Sequence, residues 1–247
     1  MSPIPGDALD ATPPKTVHTA YWEDFIDIFH SPSAVFARRE NGNAWIPIVV
    51  LTVLLTVLFL AGQGVLSPLM DSEFNRRAAE MMKRNPNLTA DRLASMRHFQ
   101  EMFAPVFVLV AVPISIFVTA VVLWVVGKIV DATESLRTAV IVTAYAMVPK
   151  VVDSIVSIVQ AMFMDPSSLT NVKQLSLGPA RFLNPDTTAP LALALLGRLD
   201  IFTIWITVLL AIGLAVTGRI PRTRAAVAAV VVWLLGSVPG IIQAVRS

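Results

Sequence analysis

The stretch APVFVLVAVPISIFVTAVVLWVVG, residues 104 to 127, contains no charged residue and decides the fold class. A helix rises about 1.5 Å per residue, so about 20 apolar residues cross the roughly 30 Å of hydrocarbon in a bilayer. Four further apolar stretches cover residues 44–62, 136–164, 201–218 and 225–245, and of these 136–164 contains charged residues. The pattern predicts five transmembrane helices, because unpaired backbone groups cannot face lipid and the alternating polarity of a β-barrel is missing.

The composition of the whole chain agrees with a membrane protein. Of its 247 residues, 55% are hydrophobic and 15% are charged, and its mean hydropathy is +0.69. The net charge of +2 is small, and no stretch combines dense Lys and Arg with aromatic residues, which argues against a nucleic-acid partner. The chain has no cysteine, which excludes disulfides, thiolate metal sites and a cysteine nucleophile.

The segments before the first span are polar or amphipathic. Residues 1–20 combine prolines with mixed charge and predict a disordered tail. Residues 21–43 predict two amphipathic helices at the membrane interface, the second opened by Ser31 and Pro32. In the first helix Trp22, Phe25, Ile26 and Phe29 share one face, with Glu23, Asp24 and Asp27 on the other side, and in the second helix Arg38 and Arg39 are predicted to meet lipid headgroups.

Two long connections separate the spans. Residues 67–103 predict a helical hairpin lying on the bilayer, with Thr89 as the N-cap of its second helix. Residues 165–197 are rich in Pro, Ser, Thr and Asn and predict an irregular loop, up to the short apolar stretch 190–196 that leads into the fourth span. The predicted fold is therefore an all-α polytopic bundle, with residues 44–247 as its five-helix transmembrane domain. Counting Lys and Arg gives eight on the N-terminal side and ten on the other, so charge does not orient the bundle.

The motifs of several enzyme and metal-binding classes are absent from the sequence. There is no HExxH, GxSxG, GxxxxGK[ST] or GxGxxG pattern, and the three histidines, His18, His30 and His98, lie outside the spans and far apart. We therefore predict no catalytic residue, no metal site and no cofactor. An intramembrane enzyme is the third-ranked alternative, and it would need a buried acid or nucleophile that is not evident.

One polar group interrupts the third span. Lys150 and Asp153 are three residues apart on a helix, and Pro149 is predicted to free the carbonyl of Tyr145 as a further acceptor. Ionisable groups at membrane depth cost about 2.5 to 3.5 kcal/mol each on insertion scales, so they normally have partners. The group fits an ion or proton relay, a polar docking face between helices, or a self-neutralised structural kink.

A second polar group lies at the mouth of the fourth span. Two interpretations of Arg198 and Asp200 stay open. They either join the Lys150–Asp153 pair across the bundle or lie at the membrane interface with their charged ends directed toward headgroups.

Three segments together resemble the Yip1 family of five-span membrane proteins, in its bacterial branch. They are FIDIFHSPSAVFARR (residues 25–39), WVVGKIVDATESLRTAVIVTAYAMVPKVVDSI (124–155) and LDIFTIWITVLLAIGLAVTGRIPRTRA (199–225). The positions that match the family's motifs in the last two are Tyr145, Pro149, Asp200, Phe202 and Trp205. The resemblance implies a cytoplasmic N-terminus, five helices and no known enzymatic activity.

The resemblance also guides the functional hypotheses. Eukaryotic relatives are associated with small GTPases and vesicle traffic, and bacterial ones with other membrane machinery such as ABC-type exporters. The long first loop departs from the compact eukaryotic pattern, so GTPase binding is not transferred. The leading hypothesis is a non-enzymatic adaptor in the bacterial inner membrane, in contact with lipid and a membrane-protein partner, with a homo-oligomer left open. The alternative is a small transporter or channel that uses Lys150 and Asp153.

Overall fold

The computed structural model describes residues 20–85, 87–165, 171–184 and 187–246, and this described part is helical without a strand. The predicted tail lies outside the described residues, apart from Ala20. The helices are α1 Tyr21–His30, α2 Pro32–Arg39, α3 Trp45–Arg84, α4 Ala90–Ile129, α5 Leu136–Ala146, α6 Pro149–Phe163, α7 Pro190–Leu196, α8 Ile201–Thr217, α9 Arg222–Leu235 and α10 Val238–Arg246. Two 3-10 turns, Val172–Leu175 and Pro179–Phe182, interrupt the loop after α6. The all-α prediction is confirmed.

Four helical segments of the described chain are long and apolar enough to cross a membrane: α3, α4, the joined α5–α6 and the joined α9–α10. The pair α7–α8 passes the same test but is bent by 53°, and it supplies a fifth crossing when it is counted as one broken span. The structure is therefore that of an integral membrane bundle with four to five spans. The third, fourth and fifth spans are each built from two helices.

The predicted hairpin is present, but its arms are not separate helices. The helices α3 and α4 have 40 residues each, which at 1.5 Å per residue is about 60 Å and twice the hydrocarbon thickness. Pro68 lies inside α3 without ending it. A proline cannot donate to the carbonyl four residues earlier, here that of Gly64, and the Ser67 hydroxyl donates to it instead at 2.9 Å.

The helices α1 and α2 pack into the bundle. Ile28 and Phe36 are buried in the same core cluster as Leu214 of α8, and the Phe29 ring meets the Trp205 ring edge-on with centroids 5.2 Å apart. The predicted apolar face of α1 is divided, because Trp22 and Ile26 are exposed on the outside of the bundle. Asp24, which the pattern assigned to the opposite, polar face, is fully buried against protein.

Three connections on the N-terminal side of the bundle lie together. Arg137 at the start of α5 donates to the carbonyl of Gly42 at 2.8 Å, and the Thr133 amide donates to the carbonyl of Gly218 at 3.0 Å. Arg219 pairs with Glu40 at 3.3 Å. The residues before α3, between α4 and α5, and after α8 therefore form one interlocked surface.

Candidate functional site

The third span breaks where the sequence predicts. The helix α5 ends at Ala146 and α6 begins at Pro149. The prediction of a free carbonyl at Tyr145 is wrong, because that carbonyl accepts a hydrogen bond from the Val148 amide at 3.1 Å. A tighter three-residue turn forms at the break, so a local donor replaces the one that proline lacks.

Lys150 and Asp153 form the predicted pair on α6, with Nζ 2.9 Å from Oδ2. Neither group is sealed in the core, because Lys150 and Asp153 both line a cavity of about 390 Å³ between α3, α6 and the first 3-10 turn. We call it the α3–α6 cavity. Lys173 and Asp200 also line it, so its polar groups include both signs of charge.

Lys150 also lines a second cavity of about 330 Å³, which we call the α4–α9 cavity. Its walls come from α4, α8, α9 and the start of α10, and Arg198 contributes the second charged side chain among the described lining residues. Lys150 therefore belongs to the walls of both cavities.

Asp200 does not join the Lys150 pair. One of its carboxylate oxygens accepts from the Ser176 hydroxyl and the Leu177 amide, both at 2.8 Å, and the other caps α8 by accepting from the Phe202 amide at 2.9 Å. These bonds fasten the loop after α6 to the start of the fourth span. The role predicted for Asp200 as a partner of Lys150 is not seen in the structure.

Arg198 lies against α9 instead. Its Nη2 donates to the carbonyl of Trp233 at 3.3 Å, and its guanidinium carbon is 5.9 Å from the centroid of the Trp233 ring. Its Nε is buried and has no hydrogen-bond partner in the described chain, and the same holds for Nε1 of Trp233. Sequence reasoning missed Trp233, because a tryptophan within an apolar run carries no signal of a polar contact.

Tyr145 belongs to a different cluster, at the N-terminal helices. Its hydroxyl donates to Asp24 Oδ2 at 3.1 Å. Arg38 donates from Nε to Oδ1 at 2.6 Å, and Arg39 donates from Nε to Oδ2 at 2.5 Å. The two arginines were predicted to meet headgroups, and they instead neutralise a buried carboxylate and join α2 to α1. The one indication of this contact in the sequence is the break at Ser31 and Pro32, which lets α2 turn back toward α1.

The remaining sequence-predicted positions are structural. Phe202 is buried at the start of α8, and Trp205 packs against Phe29. No group of three or more His, Asp or Glu in the described residues is arranged to hold a metal ion. What the Lys150 region offers chemically is two cavities with fixed charges, suited to binding an ion or a polar headgroup.

Comparison with known proteins agrees with the architecture. A family model described as the Yip1 domain matches residues 26–242, which is nearly the whole chain and includes the second half of α1. No curated protein and no solved structure matches the chain.

Proposed function

The chain belongs to the Yip1 family, and from that premise we propose that it is a non-enzymatic membrane adaptor that binds another membrane complex. The family is not known for enzymatic activity. The proposed setting is the bacterial inner membrane with the N-terminus in the cytoplasm, and an exporter of the ABC type is one such complex. The bundle itself contacts lipid.

The observation that supports an adaptor role is the surface of the α3–α4 hairpin. Counting about 20 residues for each crossing leaves roughly the last 20 residues of α3 and the first 20 of α4 beyond the hydrocarbon. The α4 arm nevertheless exposes a row of large apolar side chains before the predicted span: Met96, Phe99, Met102 and Phe103. A contiguous apolar surface outside lipid is typical of an interaction site, and methionine and aromatic side chains adapt readily to a partner.

Site-directed photocrosslinking in native membranes tests this proposal. A photoreactive amino acid at Phe99, where the side chain is 54% exposed, should give one discrete adduct with another membrane protein. Phe99→Glu should abolish complex formation measured by co-purification, since it places a charge in the apolar surface. The matched control is Ala94→Glu, the same charge on an exposed residue of the same arm, which should leave co-purification unchanged. Adducts with lipid only, or with a second copy of this chain only, would refute the adaptor role.

A second candidate function is supported by Lys150 and its two cavities. A cation shared by two cavities beside a helix break is an arrangement used by small transporters and channels. In reconstituted vesicles, replacing Lys150 and Asp153 together by Leu should abolish ion or solute flux. Arg219→Leu, which removes an exposed arginine at the N-terminal surface, should not. Equal flux in both variants, or none in the parent protein, rejects transport.

A further inference from the structure

The α4–α9 cavity is where three broken spans meet. The breaks are at residues 147–148, 197–200 and 236–237, and Met147, Arg198 and Gly236 from these breaks all line the cavity. In a membrane, irregular backbone is tolerated where it is buried in protein or lines a cavity, and discontinuous helices commonly build binding sites. The convergence of all three breaks favours a ligand site over a packing gap.

The charge on the cavity wall is of one sign. Of the described residues that line it, Lys150 and Arg198 are charged, and both are cations. The partner of Lys150, Asp153, lines the α3–α6 cavity instead. Within the described chain Arg198 has no ion pair, and the nearby Asp200 is occupied by its three hydrogen bonds. The cavity therefore lacks an internal counter-charge for its arginine, although a charged side chain within a membrane bundle normally has a partner.

Two residues that line the cavity, Arg198 and Trp233, also carry hydrogen-bond donors that lack acceptors in the described chain. Arg198 Nε and Trp233 Nε1 are both buried without a partner among the described residues. Buried donors are almost always paired in folded proteins, so an acceptor is missing from this part of the wall. Gly236 keeps the space open, because a Cβ there would lie 3.0 Å from Arg198 Nη2.

Apart from Thr119, Thr203 and Thr207, the rest of the wall is apolar, and it reaches the outside of the bundle. Val118, Val122 and Leu210 line the cavity, and Val118 is 58% exposed on the face of α4 that meets lipid. A volume of about 330 Å³ suits a headgroup, and an attached acyl chain would lie along α4 outside the cavity.

We infer that the α4–α9 cavity binds a phosphate-bearing anion, the phosphate of an anionic phospholipid, through Arg198, Trp233 and Lys150. Phosphate oxygens accept hydrogen bonds from a guanidinium group better than any neutral ligand does, and they satisfy an indole N–H at the same time. The inference rests neither on the adaptor role nor on transport, since it concerns equilibrium binding alone.

The test uses the purified full chain in a neutral detergent. A reporter variant keeps Trp233 and carries Phe in place of Trp22, Trp45, Trp124 and Trp205. Its fluorescence is titrated with three probes: short-chain phosphatidylglycerol, short-chain phosphatidylcholine and inorganic phosphate. Phosphatidylglycerol should change the fluorescence saturably and raise the unfolding midpoint. Zwitterionic phosphatidylcholine should bind at least about tenfold more weakly, because its ammonium group approaches Lys150 and Arg198.

Variants decide whether the named residues hold the anion. Arg198→Gln should weaken phosphatidylglycerol binding by at least about tenfold, since it removes a charge-assisted pair. Lys150→Gln should weaken it less. The control, Arg219→Gln, removes an arginine that is 72% exposed outside the cavity and should leave binding unchanged. If Arg198→Gln does not fold, Gly236→Ala displaces the same guanidinium by a methyl group and should weaken binding in the same direction.

The probes also separate the two sources of phosphate. Competition by inorganic phosphate with a much weaker affinity supports a lipid headgroup, whereas equal affinity for inorganic phosphate and phosphatidylglycerol supports the anion site and rejects lipid as its source. Equal binding of phosphatidylglycerol and phosphatidylcholine overturns the inference. So does phosphatidylglycerol binding that survives both Arg198→Gln and Lys150→Gln.

Discussion

At the residue scale, Asp24 decides how the N-terminal helices attach to the bundle. Its carboxylate is fully buried and receives Arg38, Arg39 and the Tyr145 hydroxyl. Asp24→Asn should lower the free energy of unfolding by about 2–4 kcal/mol, because it removes the buried negative charge that Arg38 and Arg39 share. The two arginines are partly exposed, so the loss should be smaller than for an ion pair in which both partners are fully buried. Denaturant unfolding in detergent measures it.

Asp27 provides the matched control for Asp24. It lies one turn further along α1, pairs with Arg38 alone and has a side chain that is 38% exposed. Asp27→Asn should cost less than about 1 kcal/mol, since exposed ion pairs contribute little. If both variants lose the same stability, the buried cluster is not what fastens α1 to the bundle.

Glu134 makes the stability of the protein depend on pH. It lies between α4 and α5, where burial raises the pKa of its carboxyl above the usual 4.5, with a smaller opposing effect from Lys128. The Lys128 amine donates to the backbone carbonyls of Ala132 and Glu134, and neither carboxylate oxygen has a hydrogen-bond partner in the described chain. The folded state therefore holds this proton more tightly than the unfolded state.

The sign of the Glu134 effect follows from that difference. Its stabilising contribution is fully present below pH 4.5, the unfolded pKa, and is lost as pH rises through the higher folded pKa. The unfolding midpoint of the wild type should fall from pH 4.5 toward neutrality. Glu134→Gln, which cannot ionise, should flatten that part of the profile and be the more stable protein at neutral pH. Parallel profiles for the two proteins would contradict the assignment.

The sequence predicts local polar contacts and misses distant ones. Lys150 and Asp153 are three residues apart on one helix, so helical geometry alone brings them together. Tyr145 and Asp24 are 121 residues apart, and nothing in either segment indicates the other. The amphipathic pattern of α1 was misread because it gives two faces but not their surroundings. In a membrane bundle the apolar Trp22 faces outward and the acidic side faces protein.

At the element scale, small residues set how closely the spans approach. Gly213 of α8 lies against Val142 of α5 and the Phe36 ring of α2, so a Cβ there would collide with Val142 Cγ1. Gly213→Ala should lower the free energy of unfolding by about 1–3 kcal/mol, as expected for overpacking a tight contact. Thermal unfolding measures the loss.

Gly64 of α3 provides the matched control for Gly213. A Cβ at Gly64 would meet nothing within 4 Å. Gly64→Ala should therefore be neutral or stabilising by up to about 1 kcal/mol, because alanine is the better helix former. Destabilisation by Gly64→Ala as large as that by Gly213→Ala would show that packing at α8 is not the cause.

Hydropathy predicts where a helix leaves the membrane but not where it ends. The spans were predicted at residues 44–62 and 104–127, whereas α3 and α4 continue through the charged residues beyond them. The continuation depends on details that periodicity does not contain, such as the Ser67 hydroxyl that replaces the donor missing at Pro68. The break in the fifth span escaped prediction for the converse reason, because residues 225–245 contain no charged residue and stay largely apolar across it.

At the scale of the whole molecule, the interlocked N-terminal surface leaves one question about the topology, which is the side of the membrane that this surface faces. Glu40, Thr133 and Arg219 come from three connections that contact one another, so these connections lie on the same side of the membrane. The turn of the α3–α4 hairpin lies on the opposite side, one crossing away. The charge count could not orient the bundle, and the family resemblance predicts that the interlocked surface is cytoplasmic.

Cysteine labelling tests that orientation directly, because the chain has no cysteine of its own. Thr223→Cys places a thiol at an exposed position at the start of α9, and Asn87→Cys places one in the exposed hairpin turn. With the N-terminus in the cytoplasm, a membrane-impermeant maleimide should label Asn87→Cys in intact cells and Thr223→Cys only after permeabilisation. The reverse pattern would invert the bundle and place the hairpin surface in the cytoplasm. Labelling of both sites in intact cells would contradict the crossing between them, since α3 and α4 must then fail to span the bilayer.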